Sequence, residues 1–86
     1  MKYKMQERKL SIKEVERKLN LFLKAKTYTF MKIRFGGGFH IHNGYIKEIK
    51  DSYIMFYDKK LGNFPIEISE IIFIDVSREK NGSNQK

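Results

Sequence analysis

Apolar residues follow two different periods along this chain, and the change from one to the other comes near residue 27. Before it, Ile12, Val15, Leu19, Phe22 and Leu23 recur at helical spacing. At about 100° per residue these five fall in one stripe roughly 100° wide, the width of a buried helix face. Lys13, Arg17, Asn20 and Lys24 group on the opposite side. The stripe opens on "SIKE", Ser11–Glu14, a capping box. There the Ser11 hydroxyl accepts from the Glu14 N–H, and the Glu14 carboxylate accepts from the Ser11 N–H. The pattern predicts one amphipathic helix over 11–26, with residues 1–10 a flexible basic N-terminus.

From Thr27 the chain is rich in β-branched and aromatic residues and alternates. In "TYTFMKIRF", Thr29, Met31, Ile33 and Phe35 point one way and Phe30, Lys32 and Arg34 the other. "GGG", Gly36–Gly38, interrupts this strand as a hairpin tip. "FHIHNGYIKEI" reads as a second strand, "SYIMFYD" as a third and "KKLGN" as a turn. "FPIEI" reads as a fourth strand, with Pro65 near its start, where a missing N–H is tolerated. "SEI" is a tight connection and "IFIDVS" a fifth strand. The last residues, 78–86, read as a disordered polar tail.

One helix followed by five short strands with tight turns predicts a mostly β fold. We expect a single domain over 11–77: an N-terminal α-helix and a five-stranded, strongly bent antiparallel barrel of the SH3-like or Sm-like type. The alternative is a flat five-stranded sheet with the helix on one face. Gly44 favours the barrel, because a glycine inside a strand marks a sharp bend or a bulge. Beyond it, Ile46 and Ile49 are three residues apart, which breaks period two and predicts a bulge between them.

Composition narrows the function classes. Eighty-six residues allow one domain with a thin core. No cysteine is present, so neither disulfides nor thiolate zinc sites can reinforce it. The apolar run Ile71–Ile74 is far short of the ~20 residues that span a bilayer. No apolar run follows the basic start "MKYKMQERKL", so no signal peptide is expected and the protein reads as cytoplasmic, without a membrane partner. The net charge is +8 and it is unevenly placed. Residues 1–26 hold nine Lys/Arg against three Glu, residues 27–77 six against six, and residues 78–86 three against one. A neutral body with a basic helix and tail is the electrostatic footprint of a nucleic-acid binder; it is also what a charged face kept for solubility would look like.

The pattern Gly44-x-Ile46-x-x-Ile49, then "KDSYIMFYD" and "FPIEISEIIFIDV", resembles the Sm-like (LSm and Hfq) small β-barrels over about residues 11–77. The "PIEISEI" segment also looks like the C-terminal barrel of bacterial ribosome maturation factors. The Sm-like resemblance implies binding of single-stranded RNA by a homo-oligomeric ring joined through the edges of the fourth and fifth strands. It also implies base stacking by an aromatic after the second strand, where this chain has Asp51-Ser52-Tyr53. Met55 stands at the position of that family's base-reading Asn, and Ser69-Glu70-Ile71 at that of its basic residue and glycine.

The glycine triplet lies between strands and lacks the Lys-Ser/Thr of a P-loop and the GxGxxG spacing, so it does not read as a nucleotide loop. His40 and His42 are two apart and so share a strand face, but no third ligand accompanies them and no metal site is expected. The serines have turn, cap or strand roles and the carboxylates are scattered, so neither an enzyme nor a cofactor is expected. The nucleic-acid-binding set is Lys13, Arg17 and Lys24 on the helix, Arg34 beside the glycines, and Lys50 and Tyr53 of the "KDSY" turn. Cations would meet phosphates and tyrosines would stack on bases. The expected function is binding of RNA or another single-stranded nucleic acid; the alternative is a protein–protein adaptor on a small SH3-like barrel.

Overall fold

The computed structural model describes residues 10–79. Its elements are α1 (Ile12–Ala25), β1 (Thr29–Phe35), β2 (Gly38–Ile49), β3 (Tyr53–Asp58), β4 (Gly62–Glu67), one 3-10 turn (Ile68–Glu70) and β5 (Ile71–Val76). Helix α1 starts as its sequence dictates. The Glu14 N–H donates to Ser11 Oγ at 3.2 Å and the Ser11 N–H to Glu14 Oε1 at 3.0 Å. It ends at Lys26, whose φ of 54° is left-handed and turns the chain toward β1. Val15, Leu19 and Phe22 are buried on the core and Leu23 packs beside them. Ile12, expected on that stripe, is instead exposed; Leu10, one step before the cap, is buried in the core and donates its N–H to the Ile72 carbonyl at 3.0 Å. Leu10 thus departs from the flexible segment expected over 1–10; the rest of that segment and of the tail expected over 78–86 lies outside the described residues, save Arg78 and Glu79.

The strands are all antiparallel in the order β4-β3-β2-β1-β5. Five strands lying flat would set β4 and β5 about 19 Å apart at ~4.8 Å per step. Only residues 68–70 join them, and four Cα steps reach about 14 Å at most. The sheet therefore has to curl, and the flat alternative is excluded. It does not close: β4 and β5 are not paired with each other. The 3-10 turn fills the gap, with Ile68 buried and its N–H donating to the Ser52 carbonyl at 2.9 Å.

Two irregularities make the curl. In β2, Ile46 faces Phe56 while Glu48 faces Met55, so Lys47 is the extra residue of a bulge, where the Ile46/Ile49 spacing predicted one. In β5, Lys32 faces Phe73 while Ile33 faces Ile71, which lets the adjacent Ile71 and Ile72 both be buried. Between β1 and β2 the hairpin loop is only Gly36-Gly37, since Phe35 pairs with Gly38. Gly36 has φ 60°, the sign that two-residue hairpin turns need at their first central position.

Gly44 is the position on which the curl rests. It pairs with Thr29 of β1 and with Asp58 of β3. A Cβ placed there would meet the Tyr57 carbonyl oxygen at 1.9 Å, inside its van der Waals surface. The inner face around it is the core: Thr29, Met31, Ile54, Phe56 and Ile74, with Leu19 from the helix, are all essentially inaccessible. Burial of each large apolar side chain contributes about 1.5–3 kcal/mol. Gly44→Ala must therefore push β3 off β2, and we predict a loss of more than ~3 kcal/mol by urea denaturation, against an ordinary strand substitution of under ~1 kcal/mol. A stable, well-folded Gly44→Ala protein would contradict this account of the bend.

Candidate nucleic-acid interface

The helix cations are placed by the amphipathic pattern itself. Because Val15, Leu19 and Phe22 face the core, Lys13, Arg17 and Lys24 face outward, and all three are exposed. Among the described residues no carboxylate lies within ion-pair distance of any of them. They span about 16 Å along the axis at ~1.5 Å per residue. Lys18, on the flank, is turned inward instead: its ammonium donates to the Ile74 carbonyl at 3.3 Å and lies 4.0 Å from Asp75. Asn20 bonds back to the Glu16 carbonyl rather than presenting its amide.

The other candidates are not brought to this face. Arg34 sits at the end of β1 with Nε 4.0 Å from Glu70 of the 3-10 turn. Lys50 lies 3.2 Å from Glu48. Tyr53 is half-buried on the outer face of β3, opposite Glu67, in a shallow groove of about 520 Å³ with Met55 and Pro65. A carboxylate beside the ring offsets phosphate attraction there.

A different set of aromatics lies nearer the helix cations. Tyr45 of β2 pairs with Tyr57 of β3, and the Tyr28 ring lies 5.3 Å from the Tyr45 ring. These three form a transverse row across the outer face of the sheet. A cleft of about 330 Å³ adjoins Tyr45, lined by Leu23 and Lys26 at the helix end and by Lys47 of the bulge. Past the C-terminal end of the helix that carries Lys13, Arg17 and Lys24, Lys26 and Lys47 thus place two further cations beside a tyrosine. The sequence put Lys47 in the predicted bulge and Tyr28 in the first strand segment, and nothing in it placed either beside Tyr45. Tyr28 is a hydrogen-bond donor here: burial first, and then its bond to the Glu79 carboxylate at 2.9 Å, push its pKa up to about 12.

His40 and His42 share the inner face, as their spacing predicted, and lie 6.2 Å apart. They do not act alike. His40 is exposed and stacks on Phe35 at 4.4 Å. His42 is buried, 5.0 Å from the Phe64 ring, with Nδ1 3.2 Å from Asp58 Oδ2. An ionised carboxylate only accepts, which assigns the hydrogen to Nδ1. Asp58 Oδ1 in turn accepts from the N–H groups of Lys60 and Leu61 at 2.7 and 3.2 Å. No group of three His, Cys, Asp or Glu able to hold a metal occurs among the described residues. No hydroxyl is hydrogen-bonded to His42 there either, so the pair reads as a buried polar clamp fastening the 59–61 turn to β2. No helix among the described residues is long and apolar enough to cross a membrane.

The chain matches no known family model, no curated protein and no solved structure.

The clamp has a pH signature. Burial raises the Asp58 pKa, but the Lys60 N–H, the His42 ring and the Leu61 N–H together outweigh it and hold the carboxyl below its ordinary value. The unfolded chain then binds the proton more readily, so stability is present above the ordinary aspartate range near ~4 and is lost as pH falls through the lower folded value. Asp58→Asn is predicted to cost about 1–3 kcal/mol at neutral pH and to lose less stability than the wild type between pH ~6 and ~3. Urea denaturation at the two pH values measures both. Parallel losses in the two proteins would remove Asp58 as the acid-sensitive group.

Proposed function

We propose that the protein binds single-stranded nucleic acid, RNA in the first place, along the outward face of α1 and onto the tyrosines beside its C-terminal end. The observation that carries the reading is the exposed stripe Lys13, Arg17 and Lys24, without an ion-pair partner among the described residues, on the helix whose C-terminal end sets Lys26 beside Lys47 and Tyr45. Point charges on a helix hold phosphates without reading sequence. A tyrosine flanked by lysines then offers a stacking surface to any base. Residues 27–77 balance six Lys/Arg with six Asp/Glu, so the excess positive charge belongs to the helix segment and the tail.

On this reading the curled sheet is a small SH3-like or Sm-like barrel. Helix-first order, five antiparallel strands, the strand order β4-β3-β2-β1-β5 and the bend at Gly44 support that. The nucleic acid is read mainly by charge. Tyr53 lies about 13 Å along β3 from Tyr57 at ~3.3 Å per residue, so it would serve as a separate contact rather than as part of the tyrosine row. Arg34 and Lys50, each facing a carboxylate, would contribute less than the helix cations.

Titration of a fluorescent single-stranded RNA across several salt concentrations tests the proposal. For single strands the slope of log affinity against log salt is about −0.7 per phosphate neutralised, so removing three cations in Lys13→Ala/Arg17→Ala/Lys24→Ala should flatten it by about 2. Tyr45→Ala should weaken binding by about 1–3 kcal/mol with little change in slope. Absence of binding at low salt, or a triple variant with the wild-type slope, would overturn it and leave the adaptor reading.

A further inference from the structure

We propose that two copies of this chain associate through the free half-edge of β2, residues Gly38–Asn43, forming a continuous antiparallel ladder about a two-fold axis. Strand β2 is shared unevenly: Gly38–Gly44 pair with β1, and only Gly44–Ile49 pair with β3. Strand β3 ends at Asp58 and the chain enters the turn Lys59–Leu61, so no strand pairs with the side of Gly38–Asn43 that faces away from β1. A cleft of about 560 Å³ lies along it, bordered by Ile41, His42 and Leu61 and by the charged Asp58, Lys59, Lys60 and Glu79.

The edges of the two outer strands are guarded. On β5, the Ile72 carbonyl accepts from the Leu10 N–H, the Ile74 carbonyl accepts from the Lys18 ammonium, and the Val76 N–H donates to Asp75. On β4, Pro65 removes an N–H from the middle of the strand and Glu67 adds a charge at its end. A ring joined through β4 and β5 would have to release Leu10 and Lys18 from β5 first. The β2 half-edge holds neither proline nor Lys, Arg, Asp or Glu; its bonded side chains are at its inner end, where His42 meets Asp58 and Asn43 accepts from Ser77, and Gly38–Ile41 has no such bond among the described residues.

Charge names a second copy as the occupant. In a chain of net +8, Phe35–Ile46 is twelve residues without a formal charge, flanked by Arg34 and Lys47. The charges beside it are Lys32, whose ammonium lies 5.0 Å from the Phe39 ring, and Lys59 and Lys60 of the cleft, which share it with Asp58 and Glu79, whereas the helix side repels its own kind. The same stretch shows the largest apolar exposure of the sheet: Phe35 62%, Phe39 59% and Ile41 55%, with Leu61 at 64% beside it. Antiparallel pairing of one edge with itself is self-complementary, as a two-fold interface requires. His40 and Ile41, at the middle of the edge, lie next to the axis. The basic helix plays no part in this contact, so the association stands or falls independently of nucleic-acid binding.

Sedimentation of nuclease-treated protein over a concentration series tests the dimer. The wild type should be a dimer. Ile41→Lys, at an exposed position, should weaken association by about a hundredfold or more through like-charge apposition at the axis, with an unchanged circular dichroism spectrum. Leu21→Lys, an equally exposed apolar site on α1, should leave the dimer intact. The chain has no cysteine, so Ile41→Cys supplies a single thiol that should give a disulfide-linked dimer on mild oxidation, while Ser69→Cys should not. A monomer at every soluble concentration, a dimer indifferent to Ile41→Lys, or a six- or seven-subunit ring would each overturn the proposal.

Discussion

Everything in this fold depends on how closely β3 can approach β2 at Gly44. One residue there is paired on both sides, with Thr29 and with Asp58, and its missing side chain leaves room for the Tyr57 carbonyl. On one side of it β2 belongs to β1; on the other it belongs to β3. That hand-over bends the sheet, and the Lys47 bulge adds to the bend two residues later. The bend brings the ends of the sheet close enough for a three-residue 3-10 turn to connect β4 to β5. It also gives the buried helix residues Val15, Leu19 and Phe22 a concave core to close.

The same hand-over creates the molecule's unusual edge. A strand that changes partners midway leaves half of each side unpaired, and in β2 the half beyond Gly44 toward the hairpin holds no Lys, Arg, Asp or Glu and exposes Phe39 and Ile41. Helix α1 has a different consequence. It uses its own flank to guard β5, through Lys18, and its far side to carry Lys13, Arg17 and Lys24 into solvent. The proposed nucleic-acid face and the proposed self-association edge are thus drawn from different elements and have opposite character, one cationic and one neutral. Segregation of this kind lets one small domain hold two contacts without competition between them.

The histidines show how burial separates two residues of one type. Their spacing puts both on the inner face. Only His42 lies deep enough to need a polar partner, because a buried ring nitrogen left unpaired is costly. Asp58 supplies it, and two turn N–H groups supply the carboxylate. His40, one pair nearer the tip, is in the projecting part of the hairpin and stacks on Phe35 instead.

Local pattern determined much of this protein. The capping box, the helix and its faces, the five strands, the glycine hairpin and the bulge after Ile46 are each set by neighbours within a few residues, where periodicity and capping chemistry act. The exposure of Lys13, Arg17 and Lys24 follows from the same periodicity. Tertiary structure alone decided the rest. Whether the curled sheet closes depends on the 3-10 turn and Ile68, which meet Ser52 far away in the sequence. Ile12 lost its place in the core to Leu10 because Ile72, sixty residues on, offered a carbonyl to Leu10. Lys26 and Lys47 come beside Tyr45, and Asp58 beside His42, only through strand register. Register is a sum over long-range contacts, and no short window of sequence contains it.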